Sequence, residues 1–333
     1  MPHLPLRLTA LLLAVALLAS GCVASMPASL LTNLKRVETG VFTMPDGTLL
    51  PYRAWLPKDG VRPAAVVLAL HGMNDSRDAW AYPAPDLARA GIAVFSPDQR
   101  GFGATATRGL WPGTAALVND VRVMARTLRR RYPHTRLILM GESMGAAVLM
   151  VAAAQPDPPP ADGYVLISPA VWGRAEMNLF LRVGLWLFSH AVPGMEVTGA
   201  GFVQVEASDN RQAIRRLSDD PLTLHATRWD AVLGLVNLMD AALAAAPHFH
   251  APALFMYGGH DQLIPDRATA ATWRALPRGE REAYYPAGYH LLLRDLDRAT
   301  PIEDVIAWIL RPNAKLPSGA GRAAAAWLAK QPG

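Results

Sequence analysis

The stretch Leu137-Ile138-Leu139-Met140-Gly141-Glu142-Ser143-Met144-Gly145-Ala146-Ala147 constrains this chain more than any other. Four apolar residues run into Gly141, and from Ala146 to Ala154 small helix-forming residues take over, with Leu149, Met150 and Val151 among them. The pattern predicts a buried strand, a sharp turn with Ser143 at its apex, and a helix. A bare G-x-S-x-G match is common at an average glycine usage of about 7%. Its flanks give it meaning, because glycines on both sides of a serine permit the strained turn that holds a hydroxyl out at the carboxyl edge of a sheet.

Buried strands of the same kind recur along the chain. Val37 to Thr43 and Leu49 to Leu56 alternate around an Asp46-Gly47 turn signal and predict a hairpin. Ala64 to Leu70 and Ile92 to Phe95 are continuous apolar runs, with a helix expected around Ala84 to Ala90. Thr114 to Arg131 places Leu117, Val121, Met124 and Leu128 three to four apart, an amphipathic helix that ends on three arginines. Tyr164 to Ile167, Ala253 to Tyr257 and Glu282 to Tyr285 are further strands, and Pro301 to Leu310 is expected as the last helix. Strands alternating with helices imply an α/β fold, a mostly parallel sheet with helices on both faces. Between Ala170 and about Ala251 the alternation stops and helices alone are expected, which reads as an inserted helical cap. The expected organisation is 1–21 signal peptide, 22–36 tether, 37–169 first part of the core, 170–251 cap, 252–311 second part of the core and 312–333 tail, the last either a frayed helix or disordered.

With 51% hydrophobic and 18% charged residues, the chain can bury a large core. Its formal charge of +5 is spread along the sequence without a basic face interleaved with aromatics, so nucleic acid is not an expected partner. The amino terminus has its own character: Arg7, an apolar run from Leu8 to Leu18 and the exit Ala19-Ser20-Gly21-Cys22 have the layout of a secretory signal. Cys22 is the only cysteine, so it cannot form half of an internal disulfide. No histidine or cysteine grouping has metal-ligand spacing, and no dinucleotide-type glycine loop follows the first strand, so neither metal nor cofactor is expected.

A serine hydroxyl needs a base to take its proton and a third group to orient that base. His290, in Gly288-Tyr289-His290 just after the last expected strand, is the best placed of nine histidines. Asp261, in the loop Gly258-Gly259-His260-Asp261, is the best placed acid, with Asp266 and Asp295 as rivals. Both loops reach the carboxyl edge that presents Ser143, where open α/β sheets place ligands.

Five motifs stand in order: His71-Gly72, Asp98-x-Arg100-Gly101-x-Gly103, Gly141-x-Ser143-x-Gly145, Gly258-x-x-Asp261 and Tyr289-His290. As a set they make the chain, from about Val37 to Leu310, resemble an α/β-hydrolase of the branch that includes lysophospholipases and monoacylglycerol lipases (serine aminopeptidase-like). The resemblance implies a serine esterase acting through Ser143, Asp261 and His290, with the backbone N–H groups of Met73 and Met144 forming an oxyanion hole and His71 holding its loop. It further implies an ester of lysophospholipid or monoacylglycerol type as substrate; a short-chain or xenobiotic esterase or amidase, and a non-catalytic surface lipoprotein, are the alternatives. Two positions depart from the family: Gln99 stands where histidine or tyrosine is usual, and Glu142 replaces the usual histidine and sets a carboxylate beside the nucleophile.

The exit at Cys22 also resembles the lipobox of bacterial lipoproteins, although Ala19 holds the place usual for leucine. This implies a lipidated Cys22, a membrane surface as partner and, from Val23, an outer-membrane lipoprotein of the bacterial envelope; a simple cleaved signal would instead leave a periplasmic or secreted protein. Within the cap, Met177 to Phe188 carries Arg182 as its only charge. A helix apolar on all sides is either buried, as the underside of the cap, or faces a lipid. Ser218-Asp219-Asp220-Pro221-Leu222 resembles the family's Asp-Pro motif ahead of a long cap helix.

Overall fold

The computed structural model describes residues 37–58, 62–198, 205–277 and 281–332. The proposed signal, tether and Cys22 lie outside them. In chain order the strands are β1 (Val37–Thr43), β2 (Leu49–Trp55), β3 (Ala65–Leu70), β4 (Ile92–Pro97), β5 (Arg136–Glu142), β6 (Gly163–Ile167), β7 (Glu196–Val197), β8 (Thr227–Arg228), β9 (Ala253–Gly258) and β10 (Arg281–Tyr285). The helices are α1 (Ala84–Arg89), α2 (Thr114–Arg131), α3 (Met144–Ala153), α4 (Leu179–Ala191), α5 (Arg211–Asp219), α6 (Trp229–Ala245), α7 (Asp266–Ala275), α8 (Ala299–Leu310) and α9 (Ala320–Leu328).

Eight strands form one sheet in the order β1-β2-β4-β3-β5-β6-β9-β10. The β1–β2 hairpin and its junction with β4 are antiparallel, and every pairing from β4 to β10 is parallel. The central strands β3, β4, β5, β6 and β9 are buried along their whole length but for Arg136, as expected of strands covered on both faces. β4 lies on one side of β3 and β5 on the other. The loops leaving the carboxyl ends of β3 and β5 therefore diverge, which opens a crevice at the switch point.

The helix α3, buried on every side, packs against α2 and α6, while α1 and α8 form a separate packed pair. α6 is read from sequence as part of the cap, yet Leu238, Met239 and Ala242 belong to the main core together with Leu149 and Met150 of α3. It therefore supports the nucleophile turn from below as well as closing the cap.

Two features depart from the sequence reading, and a third settles an alternative it leaves open. The cap is not purely helical: β7 and β8 form a two-stranded antiparallel ladder, with Glu196 opposite Arg228. α8 is not the last helix, because the expected tail contains α9, which carries Trp327 onto the last strands. The Trp327 ring stacks on Tyr284 at 5.0 Å and lies edge-on to Trp273 at 5.2 Å. Burying such a residue is worth about 3–5 kcal/mol, which holds an otherwise featureless alanine-rich segment in place. Finally, α4 is not the buried underside of the cap: of its residues only Leu185 and Ser189 are buried, while Leu179 is 73%, Phe180 88% and Trp186 61% exposed.

Candidate active site

The turn after β5 is built by its glycines. A Cβ on Gly145 would fall 2.5 Å from the Leu70 carbonyl at the end of β3, and one on Gly141 would fall 2.6 Å from the Ala146 nitrogen. Neither approach tolerates a side chain, so both glycines are required for the sheet end and the helix start to come this close. Ser143 between them adopts φ 52°, ψ −114°, a region costly to any residue with a Cβ. Its N–H bonds the Ile167 carbonyl at 2.9 Å and its own carbonyl receives Ala147 and Ala170. Its side chain makes no capping bond to α3, although it occupies the N-cap position. The strain is thus held by backbone bonds, and the hydroxyl is left free of the helix it precedes.

The loop after β3 lies directly against this turn. A Cβ on Gly72 would sit 3.5 Å from the Ser143 Cβ. Met73 follows, half-buried, and Met144 is the first residue of α3, so its N–H has no partner within the helix. The loop itself is fixed by His71, which is fully buried. The Gln99 N–H donates to His71 Nε2 at 3.0 Å and His71 Nδ1 lies 2.7 Å from the Gly72 carbonyl. An acceptor at Nε2 and a donor at Nδ1 require the neutral imidazole, consistent with burial pushing its pKa below 6.5. The Gln99 side-chain amide also donates to the His71 carbonyl at 2.7 Å. The unusual glutamine therefore serves as a backbone brace for the same loop. Asp98 and Arg100 of that motif brace further out: Asp98 accepts the Arg77 and Ala104 N–H groups, and Arg100 forks onto Asp120 at 2.8 Å twice.

His290 Nδ1 lies 2.8 Å from Asp261 Oδ2, with both side chains buried. The other carboxylate oxygen of Asp261 accepts the Leu263 and Ile264 N–H groups at 2.8 and 2.9 Å, so the carboxylate has no freedom to turn away. The rival acids are engaged elsewhere: Asp266 accepts the Tyr257 hydroxyl, and Asp295 accepts Ser208 Oγ and the Tyr289 N–H. The two loops meet through glycine, because a Cβ on Gly258 would strike the Gly288 backbone at 2.5 Å. His260 is exposed and sets its ring edge-on to Tyr289.

Burial disfavours the charged His290 imidazolium, but the Asp261 carboxylate, by its field and its hydrogen bond, and then Glu142 outweigh it, so the pKa lies above 6.5. Glu142 itself is buried beside the nucleophile, and burial holds its carboxyl above the ordinary range despite the Arg294 guanidinium. Arg294 and Asp75, which surround Glu142, carry no local signature and do not emerge from the sequence. Among the described residues no group of three or more histidine, cysteine, aspartate or glutamate side chains is arranged to hold a metal ion.

A strained serine at the switch point of a doubly covered sheet, with a buried Asp–His pair after the following strands, defines the α/β-hydrolase class. Within that class the chain belongs to the serine aminopeptidase S33 family, whose model matches residues 61–297. The chain is 26% identical over 277 residues to the monoglyceride lipase of Rattus norvegicus, covering 79% of this chain and 88% of that enzyme. It superposes on a soluble variant of monoglyceride lipase from Saccharomyces cerevisiae, solved with a substrate analog, with a TM-score of 0.70 at 19% identity over 83% of this chain and 96% of that one. A thermostable carboxyl esterase from Bacillus coagulans gives a TM-score of 0.68 at 18% identity, covering 82% and 97% of the two chains.

Proposed function

We propose that the protein is a carboxylic ester hydrolase that cleaves monoacylglycerols or lysophospholipids through an acyl-enzyme on Ser143. The observation that carries this reading is the buried His290–Asp261 pair at 2.8 Å, whose histidine loop is tied through Arg294 to Glu142 beside the strained Ser143 turn. With the Nδ1 proton donated to Asp261, His290 Nε2 is left as the base. It takes the Ser143 proton as Oγ bonds the ester carbonyl carbon, then returns that proton to the departing glycerol oxygen. Water, deprotonated by the same imidazole, releases the fatty acid and restores the serine. The oxyanion formed at each addition is received by the Met73 and Met144 N–H groups, fixed donors worth about 3 kcal/mol each in such sites.

The lipid character of the substrate is supported by the relatives named as monoglyceride lipases and by α4. Leu179, Phe180, Val183, Trp186 and Leu187 are exposed on this one cap helix. A continuous apolar patch of that kind is unfavourable in water and suits a surface made of lipid. Hydrolysis of glycerol monoesters of increasing acyl length is expected to rise from the shortest chains towards long ones. A maximum at the shortest chain would sink the lipid reading and leave a short-chain esterase.

The same reading extends to location: an outer-membrane lipoprotein of the bacterial envelope, held by a lipid on Cys22. It is supported by Arg7, the apolar run to Leu18 and the Ala19-Ser20-Gly21-Cys22 exit followed by Val23. Cys22→Ser is expected to move the protein from the membrane to the soluble fraction. Unchanged membrane retention would mean that something other than Cys22 holds it there.

A further inference from the structure

Arg294 lies in the short turn Leu292–Arg294, four residues past His290, preceded by buried leucines and only 4% exposed. Its Nη2 donates to Asp75 Oδ2 at 2.7 Å and to Glu142 Oε1 at 2.7 Å. The three groups come one from each loop around Ser143. Asp75 is two residues past Met73, and its other oxygen accepts the Ser76 N–H at 2.7 Å, so its carboxylate is tied to the backbone of its own loop. Glu142 is the residue before the nucleophile, and Arg294 belongs to the histidine loop. From the far side, Asn210 of the cap donates to the Arg294 carbonyl at 2.8 Å, and Asp295 receives the Tyr289 N–H, so the histidine loop is fixed where the arginine leaves it.

Stability alone is a poor reason to keep such a cluster. Three buried charges lose their hydration, and apolar residues of like volume often serve a fold as well or better. What apolar residues do not supply is a directional link between three separate loops.

We propose that Arg294 is a positioning residue, holding the oxyanion loop through Asp75 and the nucleophile turn through Glu142 against the loop that carries His290. The inference rests on the serine-hydrolase reading of Ser143 and deepens it. The donors at Met73 and Met144 and the imidazole of His290 must share one geometry around the reacting carbonyl, and displacement by an ångström at such a centre costs about 10²-fold in rate.

The test uses the full chain, p-nitrophenyl butyrate as substrate and end-point fluorophosphonate labelling to count competent serines. Arg294→Met is expected to lower kcat per labelled site by about 10²-fold with KM little changed, and Arg294→Lys, which keeps a cation there, to recover most of that loss. Because Arg294→Met strands two buried carboxylates, the triple variant Asp75→Asn, Glu142→Gln, Arg294→Met is measured beside it. This variant is expected to melt close to the unsubstituted protein yet keep the low kcat. A triple variant with native melting and native kcat per labelled site would overturn the proposal, since Arg294 would then only neutralise charge. So would an Arg294→Met defect that disappears once competent sites are counted. Failure of Ser143 to label in the unsubstituted chain is a separate result, which would remove the serine-hydrolase reading and this inference with it.

Discussion

Ser143→Ala is expected to lower kcat on a soluble ester by about 10⁶-fold, to abolish fluorophosphonate labelling and to leave the fold intact. The size follows from the chemistry: without a nucleophile on the enzyme, only the oxyanion donors and substrate binding remain to act on a water molecule, and His290 has no serine hydroxyl proton to accept. The unchanged fold follows from the geometry. The hydroxyl makes no capping bond to α3, and the turn is held by the Ser143 N–H on Ile167 and by Ala147 and Ala170 on its carbonyl, all of them backbone bonds that alanine keeps. Melting temperature, labelling and single-turnover hydrolysis measured on the same preparation check the three parts together. A variant that retains a tenth of the activity, or that still labels, would show that another residue is the nucleophile.

The residues legible in the sequence are those whose role demands a local signature. Ser143 needs glycine on both sides because strand end and helix start approach within contact of each other's backbone, and Gly258 ahead of Asp261 is needed where the acid loop meets Gly288. The buried strands were equally legible, since five central strands covered on both faces can only be written as apolar runs. What was hidden depends on partners far along the chain. Glu142 is visible beside Ser143, but Arg294 and Asp75 are ordinary charged residues until folding places Arg294 2.7 Å from both carboxylates. The sequence leaves α9 open between a frayed helix and disorder, and its place is decided by one tryptophan meeting Tyr284 and Trp273. The helix α4 was ambiguous for a different reason. Buried and lipid-facing helices share one composition, so only the observed exposure of Leu179 and Phe180 excludes the buried one.

Asp261→Asn is expected to cost about 10⁴-fold in kcat while leaving the loop conformation in place, because asparagine retains an oxygen for the Leu263 and Ile264 N–H groups. The amide nitrogen then faces His290 Nδ1. A donor in that position forces Nδ1 to accept, which moves the imidazole proton to Nε2 and leaves no base directed at Ser143. The pH dependence should change in the same experiment. In the unsubstituted protein the pKa of His290 is held above 6.5, against its burial, mainly by the Asp261 carboxylate. Only the neutral imidazole acts as a base, so kcat/KM is expected to fall as the pH drops through that elevated value. Without the carboxylate, burial is opposed by Glu142, itself countered by Arg294, and the pKa falls. The residual activity of Asp261→Asn is therefore expected to persist to lower pH than that of the parent, with a far lower ceiling. An acid limb that stays where it was, or a loss of less than about tenfold, would mean that Asp261 does not govern the tautomer and charge of His290, and that the 2.8 Å contact is structural.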